Sequence, residues 1–227
     1  MFDFSLPDHS YCETAAGSIA EPFNALSCLA YWVAAIAIWN QRDNESSDFH
    51  QVAAVILFVL GVSGMVWHGT LDRLAFGFDI VAIYMMMALV VTMLCNNILR
   101  WPLWASMIAV VALIFLSAWL RDSAIPFLPQ QGGAFLPALL FLAIVALLIQ
   151  SKYEQATVYL LAGAYSLFFG LAFRSVDLYW CLELPIGTHF LWHIFVAIFM
   201  VYVTKALTAV KVQERKKSLT SIADTAV

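Results

Sequence analysis

GTHFLWHIFVAIFMVYVTKAL, residues 187–207, decides the fold. It is almost wholly apolar and long enough to cross about 30 Å of hydrocarbon at about 1.5 Å per residue. Yet it opens with His189 and His193, one helical turn apart. Six more apolar runs of spanning length precede it, at about 23–40, 51–71, 76–97, 101–120, 134–150 and 155–173. The polar breaks between them are too short to separate domains. Membrane strands must close into a barrel and read as alternating rather than continuous apolar runs. The expected fold is therefore all-α: one integral membrane bundle of seven transmembrane helices over residues 1–208.

Composition agrees. The 227 residues are 63% hydrophobic and only 11% charged, whereas soluble domains are nearer to about a quarter charged. The net charge of −4 carries little weight with so few charges, and no basic patch points to nucleic acid. The N-terminal MFDFSLPDHSYCE lacks the basic and apolar regions of a signal peptide, so targeting is expected from the first span. Four cysteines are too few for a disulfide scaffold.

Lysine and arginine set the orientation. With the N-terminus outside, the inner side holds Arg42, Arg100, Lys152, Lys205, Lys211, Arg215, Lys216 and Lys217, and the outer side only Arg73, Arg121 and Arg174. The chain is thus expected N-outside and C-inside, with a basic, disordered tail over 209–227 that meets anionic lipid.

Ionisable residues within spans are costly and point to function. In this topology His68, Asp79, His189 and His193 all fall in the outer part of the bilayer, at the ends of three helices. The i,i+4 spacing of His189 and His193 puts both rings on one helix face, as in helices that give two ligands to one zinc ion. His68 is the natural third ligand, leaving one position for water. Asp79 is then placed to hold that water and act as base. The competing structural reading is a set of buried polar residues bonded across helices. His9 and His50 lie in polar segments and read as surface residues.

Three stretches carry a resemblance: YCETAAGSIAEPFNALSCLAYW at 11–32, SGMVWHGTLDRLAFGFDIVAIY at 63–84 and FRSVDLYWCLELPIGTHFLWHI at 173–194. Together they are about a third of the chain. They resemble the alkaline ceramidase family of seven-span hydrolases, whose wider superfamily includes the adiponectin-receptor-like proteins. The resemblance implies a zinc ion on His68, His189 and His193, with Asp79 in proton transfer. It also implies hydrolysis of a ceramide-like lipid to a sphingoid base and a fatty acid.

Two departures stand out. The family places a serine four residues before the first zinc histidine. Here that position is Gly64, and the serine is Ser63, turned about 100° round the helix. Ser63 is kept as a catalytic candidate that would reach the site if the helix is distorted at Gly64. Some family members also bind calcium through N-terminal acidic residues. Glu13 and Glu21 match as candidate calcium ligands, but Ser10 stands where an aspartate is expected.

Cys12 and Cys181 both fall on the outer side and can pair as a disulfide, which an oxidising compartment permits. Cys28 and Cys95 read as small core residues. Arg174 and Asp177 read either as a local salt bridge or as a contact to a lipid headgroup.

Three other readings compete with the lipid amidase. GVSG at 61–64 fits a weak rhomboid-like serine protease pattern. A haem carrier needs axial histidines facing each other across a bundle, which two on one helix face do not supply. A lipid-responsive receptor, or a hydrolase of another lipid amide or ester, would use the same metal site and cavity. The expected setting is a bacterial inner membrane with the site towards the periplasm; the oligomeric state is open.

Overall fold

The computed structural model describes residues 11–13, 17–41, 47–122 and 133–225. Among these the chain is all-helical. The first crossing is two helices, α1 (Pro22–Ser27) and α2 (Leu29–Asn40), which meet at Cys28. Then follow α3 (Ser47–Thr70), α4 (Arg73–Met93, continued by a π-turn to Ile98), α5 (Leu103–Asp122), α6 (Leu136–Ile149), α7 (Glu154–Val176) and α8 (His189–Thr225). Six crossings are long and apolar enough to span a membrane. The seventh, α6, has 14 residues, roughly 21 Å of helix against about 30 Å of hydrocarbon.

The packing is that of a membrane bundle. The interior is closed by Ile38, Leu57, Leu60, Leu142, Leu160, Met200 and Val203, all at 2% exposure or less. The outer surface is apolar as well: Val33 and Ile36 on α2, and Leu103, Trp104, Phe115 and Trp119 on α5, are exposed. Helices apolar all round suit lipid rather than water, and the chain is an integral membrane protein. The most extensive contact is between α7 and α8. Gly163 and Gly170 on α7 allow it: a Cβ at Gly170 would come within 3.2 Å of Phe195 and Trp192, the close approach that small residues permit between membrane helices.

Two local features bring site residues to one end. α3 and α4 are joined through Leu71 and Asp72, with Leu71 at φ +53°. Asp72 Oδ1 accepts the N–H of Leu74 (2.9 Å) and Ala75 (3.1 Å), capping α4. The tight turn makes the two helices antiparallel, so His68 and Asp79 share one end. The second feature is the segment before α1. Ala20 N–H donates to Gly69 O (3.0 Å) and Glu21 N–H to His68 O (2.9 Å), covering carbonyls at the C-terminus of α3 that lack helical partners.

Two expectations need revision. His50 is 1% exposed, not a surface residue. It sits in the second turn of α3 against α8, where Thr208 Oγ1 lies 3.2 Å from its Nε2. The stretch read as a disordered tail is helical to Thr225. Its first turns have partners: Tyr153 donates to Glu214 Oε1 (2.6 Å), Gln213 donates to Lys152 O (2.8 Å), and Arg100 pairs with Glu214. His9 lies outside the described residues.

Candidate metal and active site

The three imidazoles meet. His68, His189 and His193 are 2%, 1% and 4% exposed. Their ring centroids stand 5.3 Å (His68–His189), 4.9 Å (His68–His193) and 4.8 Å (His189–His193) apart. His189 and His193 come from the first two turns of α8, as their spacing requires, and His68 comes from the last turn of α3.

Each ring is held by something sequence reading did not assign to it. Glu21 Oε2 lies 2.6 Å from His68 Nδ1, so Nδ1 is occupied and Nε2 is the free ring nitrogen. Asn24 Nδ2 donates to the same oxygen at 3.1 Å. Burial pushes the Glu21 carboxyl up to about 7, against the opposing Asn24 bond. His193 Nδ1 is 2.7 Å from Ser27 Oγ, which itself donates to Asn24 O (2.8 Å). With its one proton so used, Ser27 accepts from Nδ1–H, and Nε2 is again the free nitrogen. His189 stacks on Tyr11 at 3.7 Å between centroids. Its Nδ1 is buried with no hydrogen-bond partner among the described residues.

Three buried imidazoles with unused nitrogens are the donor set that a divalent transition metal takes. Among the described residues, the group whose ligand atoms converge most closely is Cys28 Sγ with ring nitrogens of His68 and His193, within 4.8 Å of one another and able to hold a metal ion; His189 is not one of the three. Cys28 was read as a small core residue. Only its place at the α1–α2 junction brings the thiol here.

Asp79 lines the same cleft as the three histidines, which encloses about 340 Å³. Ser63 Oγ lies 3.3 Å from Asp79 Oδ1 and 3.2 Å from Leu60 O. The hydroxyl reaches the carboxylate although α3 is helical throughout, so the break expected at Gly64 is not needed. Position 64 has little room. A Cβ there would meet Cys28 Sγ at 2.8 Å and Asp79 Oδ1 at 3.2 Å.

Glu13 and Glu21, the candidate calcium ligands, are engaged with protein donors. Glu13 accepts the N–H of Phe23 (2.6 Å) and Asn24 (2.8 Å). It thus caps α1, whose first residue is Pro22, from nine residues upstream. Burial raises the Glu13 carboxyl despite these bonds. Asn24 Oδ1 is buried beside them without a partner among the described residues. Ser10 lies outside the described residues.

Cys12 and Cys181 are joined by a disulfide, Cα atoms 5.0 Å apart. Asp177 does not pair with Arg174. Its Oδ1 accepts the N–H of Thr188 (2.5 Å) and His189 (2.8 Å), and its Oδ2 that of Cys12 (2.8 Å). One carboxylate therefore caps α8 and anchors the N-terminal segment. Gly187, at φ +65°, turns the chain against it, and a Cβ there would collide with Asp177 Oδ1.

A second cavity of about 600 Å³ lies alongside, walled by Met86, Met87, Val90, Phe135, Leu142 and Val196, among others. It shares Tyr31, Leu60, Ile83 and Trp192 with the polar cleft. Its lining is apolar, as in sites that take the hydrocarbon part of a ligand.

Fold and site together define a polytopic membrane protein with a buried histidine cluster, able to hold a metal ion, beside an apolar chamber. The family model for Ceramidase matches residues 8–224. The chain belongs to the ceramidase family, and with it to hydrolases of the ceramidase type. No curated protein gives a significant match.

Proposed function

We propose that the chain is a zinc-dependent intramembrane amidase that hydrolyses the N-acyl bond of ceramide-like lipids to a sphingoid base and a fatty acid. The observation that supports it best is one wall shared by two cavities: three imidazoles and a carboxylate on one side, an apolar chamber on the other. A lipid amide would lay its chain among Met86, Met87 and Val90 and present its carbonyl beside Asp79.

His68, His189 and His193 would hold the ion, with Glu21 and Ser27 orienting two of the rings. Bound there, zinc supplies a Lewis acid and makes water nucleophilic near neutral pH. Asp79 orients the attacking water, takes its proton and returns it to the amine nitrogen as the C–N bond breaks. Ser63 steadies the Asp79 carboxylate through its hydroxyl. Tyr11 and Trp67, both lining the cleft, keep bulk water out.

A second reading makes Cys28 the third ligand, because its sulfur lies within reach of two of the histidines. Its position argues for the weaker role. The thiol lies 3.4 Å from Asn24 O and 3.7 Å from His193 Nδ1, the nitrogen that Ser27 already occupies. In cobalt-substituted protein, a thiolate-to-metal charge-transfer band lost in Cys28→Ala would establish Cys28 ligation.

Metal analysis of purified protein should find about one zinc per chain, lost in His68→Ala and His193→Ala. Ceramides in mixed micelles should release fatty acid, and Asp79→Ala should slow release by at least about 100-fold while keeping its zinc. Zinc-loaded protein inert towards every ceramide and related lipid amide would sink the proposal.

A further inference from the structure

Arg174 lies in the last two turns of α7, at the junction of the two cavities. It lines the polar cleft with the three histidines and Asp79. Its guanidinium carbon stands 5.3 Å from the ring centroid of Trp192, 5.5 Å from Phe135 and 5.7 Å from Tyr11. Phe135 belongs to the apolar chamber, Tyr11 to the polar cleft and Trp192 to both.

Among the described residues no carboxylate lies within ion-pair distance of this arginine; the ion pairs are His68–Glu21 and Arg100–Glu214. Asp177, three residues on, spends its oxygens on backbone N–H groups. Glu21 is taken by His68 and Asn24. Arg174 Nε is itself buried with no hydrogen-bond partner among the described residues. A guanidinium at the edge of an apolar chamber is costly unless an anion meets it. Its rigid fork of donors matches the two oxygens of a carboxylate.

We propose that Arg174 is a carboxylate-binding residue, holding the head of a long-chain fatty acid whose tail occupies the apolar chamber. The identification of that acid as the reaction product rests on the amidase reading above; the binding site does not. Hydrolysis turns the acyl carbonyl into a carboxylate where the chain already lies, so the acid forms beside Arg174. The three flanking rings hold the guanidinium in place through cation–π contact, and the chamber selects for an unbranched apolar tail. The site would make the protein sensitive to inhibition by free fatty acid, but not by an uncharged lipid of the same length.

The test compares hexadecanoate with hexadecanol as competing ligands in mixed micelles, using zinc-loaded wild type, Arg174→Leu and Arg174→Gln. Arg174→Leu should weaken hexadecanoate binding by about 10- to 100-fold and leave hexadecanol binding and zinc content unchanged. Arg174→Gln, with hydrogen-bond donors but no charge, should fall between. Equal weakening of both lipids, or no change in hexadecanoate binding, overturns the proposal. Wild type that hydrolyses ceramide while Arg174→Leu binds hexadecanoate normally overturns the carboxylate site alone. Wild type that binds hexadecanoate through Arg174 yet hydrolyses no lipid amide supports the site and overturns the amidase reading.

Discussion

Gly64 and Ser63 show how one helix position changes the neighbours of a site. A serine at 64 would need the space that Cys28 Sγ fills, 2.8 Å from the modest volume of a Cβ. In this chain the sulfur takes that space, and the hydroxyl reaches Asp79 from position 63 instead. Gly64→Ser is therefore expected to destabilise the protein by about 1–3 kcal/mol, the usual cost of overpacking. Cys28→Ala in the same chain should recover part of it, because it removes the 2.8 Å contact with the sulfur and leaves Asp79 Oδ1 at 3.2 Å. Thermal melting of the two single variants and the double variant in detergent reads the coupling; strictly additive losses would separate the two residues. The histidines were legible as a set because i,i+4 spacing survives in any helix. Cys28, Glu21 and Ser27 were not, because nothing in α1 taken alone says that it leans on the ends of α3 and α8.

At the scale of elements, the ends of helices do most of the positioning. Asp72 caps α4, Glu13 caps α1 and Asp177 caps α8. The last of these sets the register of His189 and His193, since Asp177 takes the N–H of His189 itself. Asp177→Ala leaves three N–H groups without their acceptor, and a loss of about 2–4 kcal/mol is expected. Asp177→Asn, which keeps one acceptor oxygen, should recover part. A drop in melting temperature with easier loss of metal to a chelator is the expected readout; unchanged stability in Asp177→Ala would remove this cap from the account. The sequence pairs Asp177 with Arg174 by spacing alone. Distant donors outcompeted that pairing, because three N–H groups left unsatisfied at a buried helix start and in the N-terminal segment would cost more than one local ion pair returns.

For the whole molecule, the disulfide and the charge distribution bear on the same question of sidedness. Cys12–Cys181 joins the N-terminal segment to the loop before α8, at the end of the bundle that carries the site. Disulfides persist in oxidising compartments, and the excess of Lys and Arg falls at the opposite end. We propose that the site end faces outward, with the N-terminus. Alkylation of denatured protein is expected to label Cys28 and Cys95 without reductant and all four cysteines after reduction. Reporter fusions should place residue 227 on the cytoplasmic side. Four reactive thiols in protein kept from reductant, or a C-terminus outside, would overturn this sidedness.

The solvent, the helical class, the number of apolar runs and the candidate cluster of three histidines were all readable from the linear sequence. Each of these follows from local quantities: run length, periodicity and the cost of an imidazole in lipid. Which groups support the histidines, that Ser63 reaches Asp79 from an unbroken helix, and that Arg174 meets aromatic rings instead of Asp177 follow from packing between helices. Those are contacts between segments far apart in the chain, Tyr11 on His189 and Ser27 on His193 among them, and no local pattern records which helix face another helix will cover.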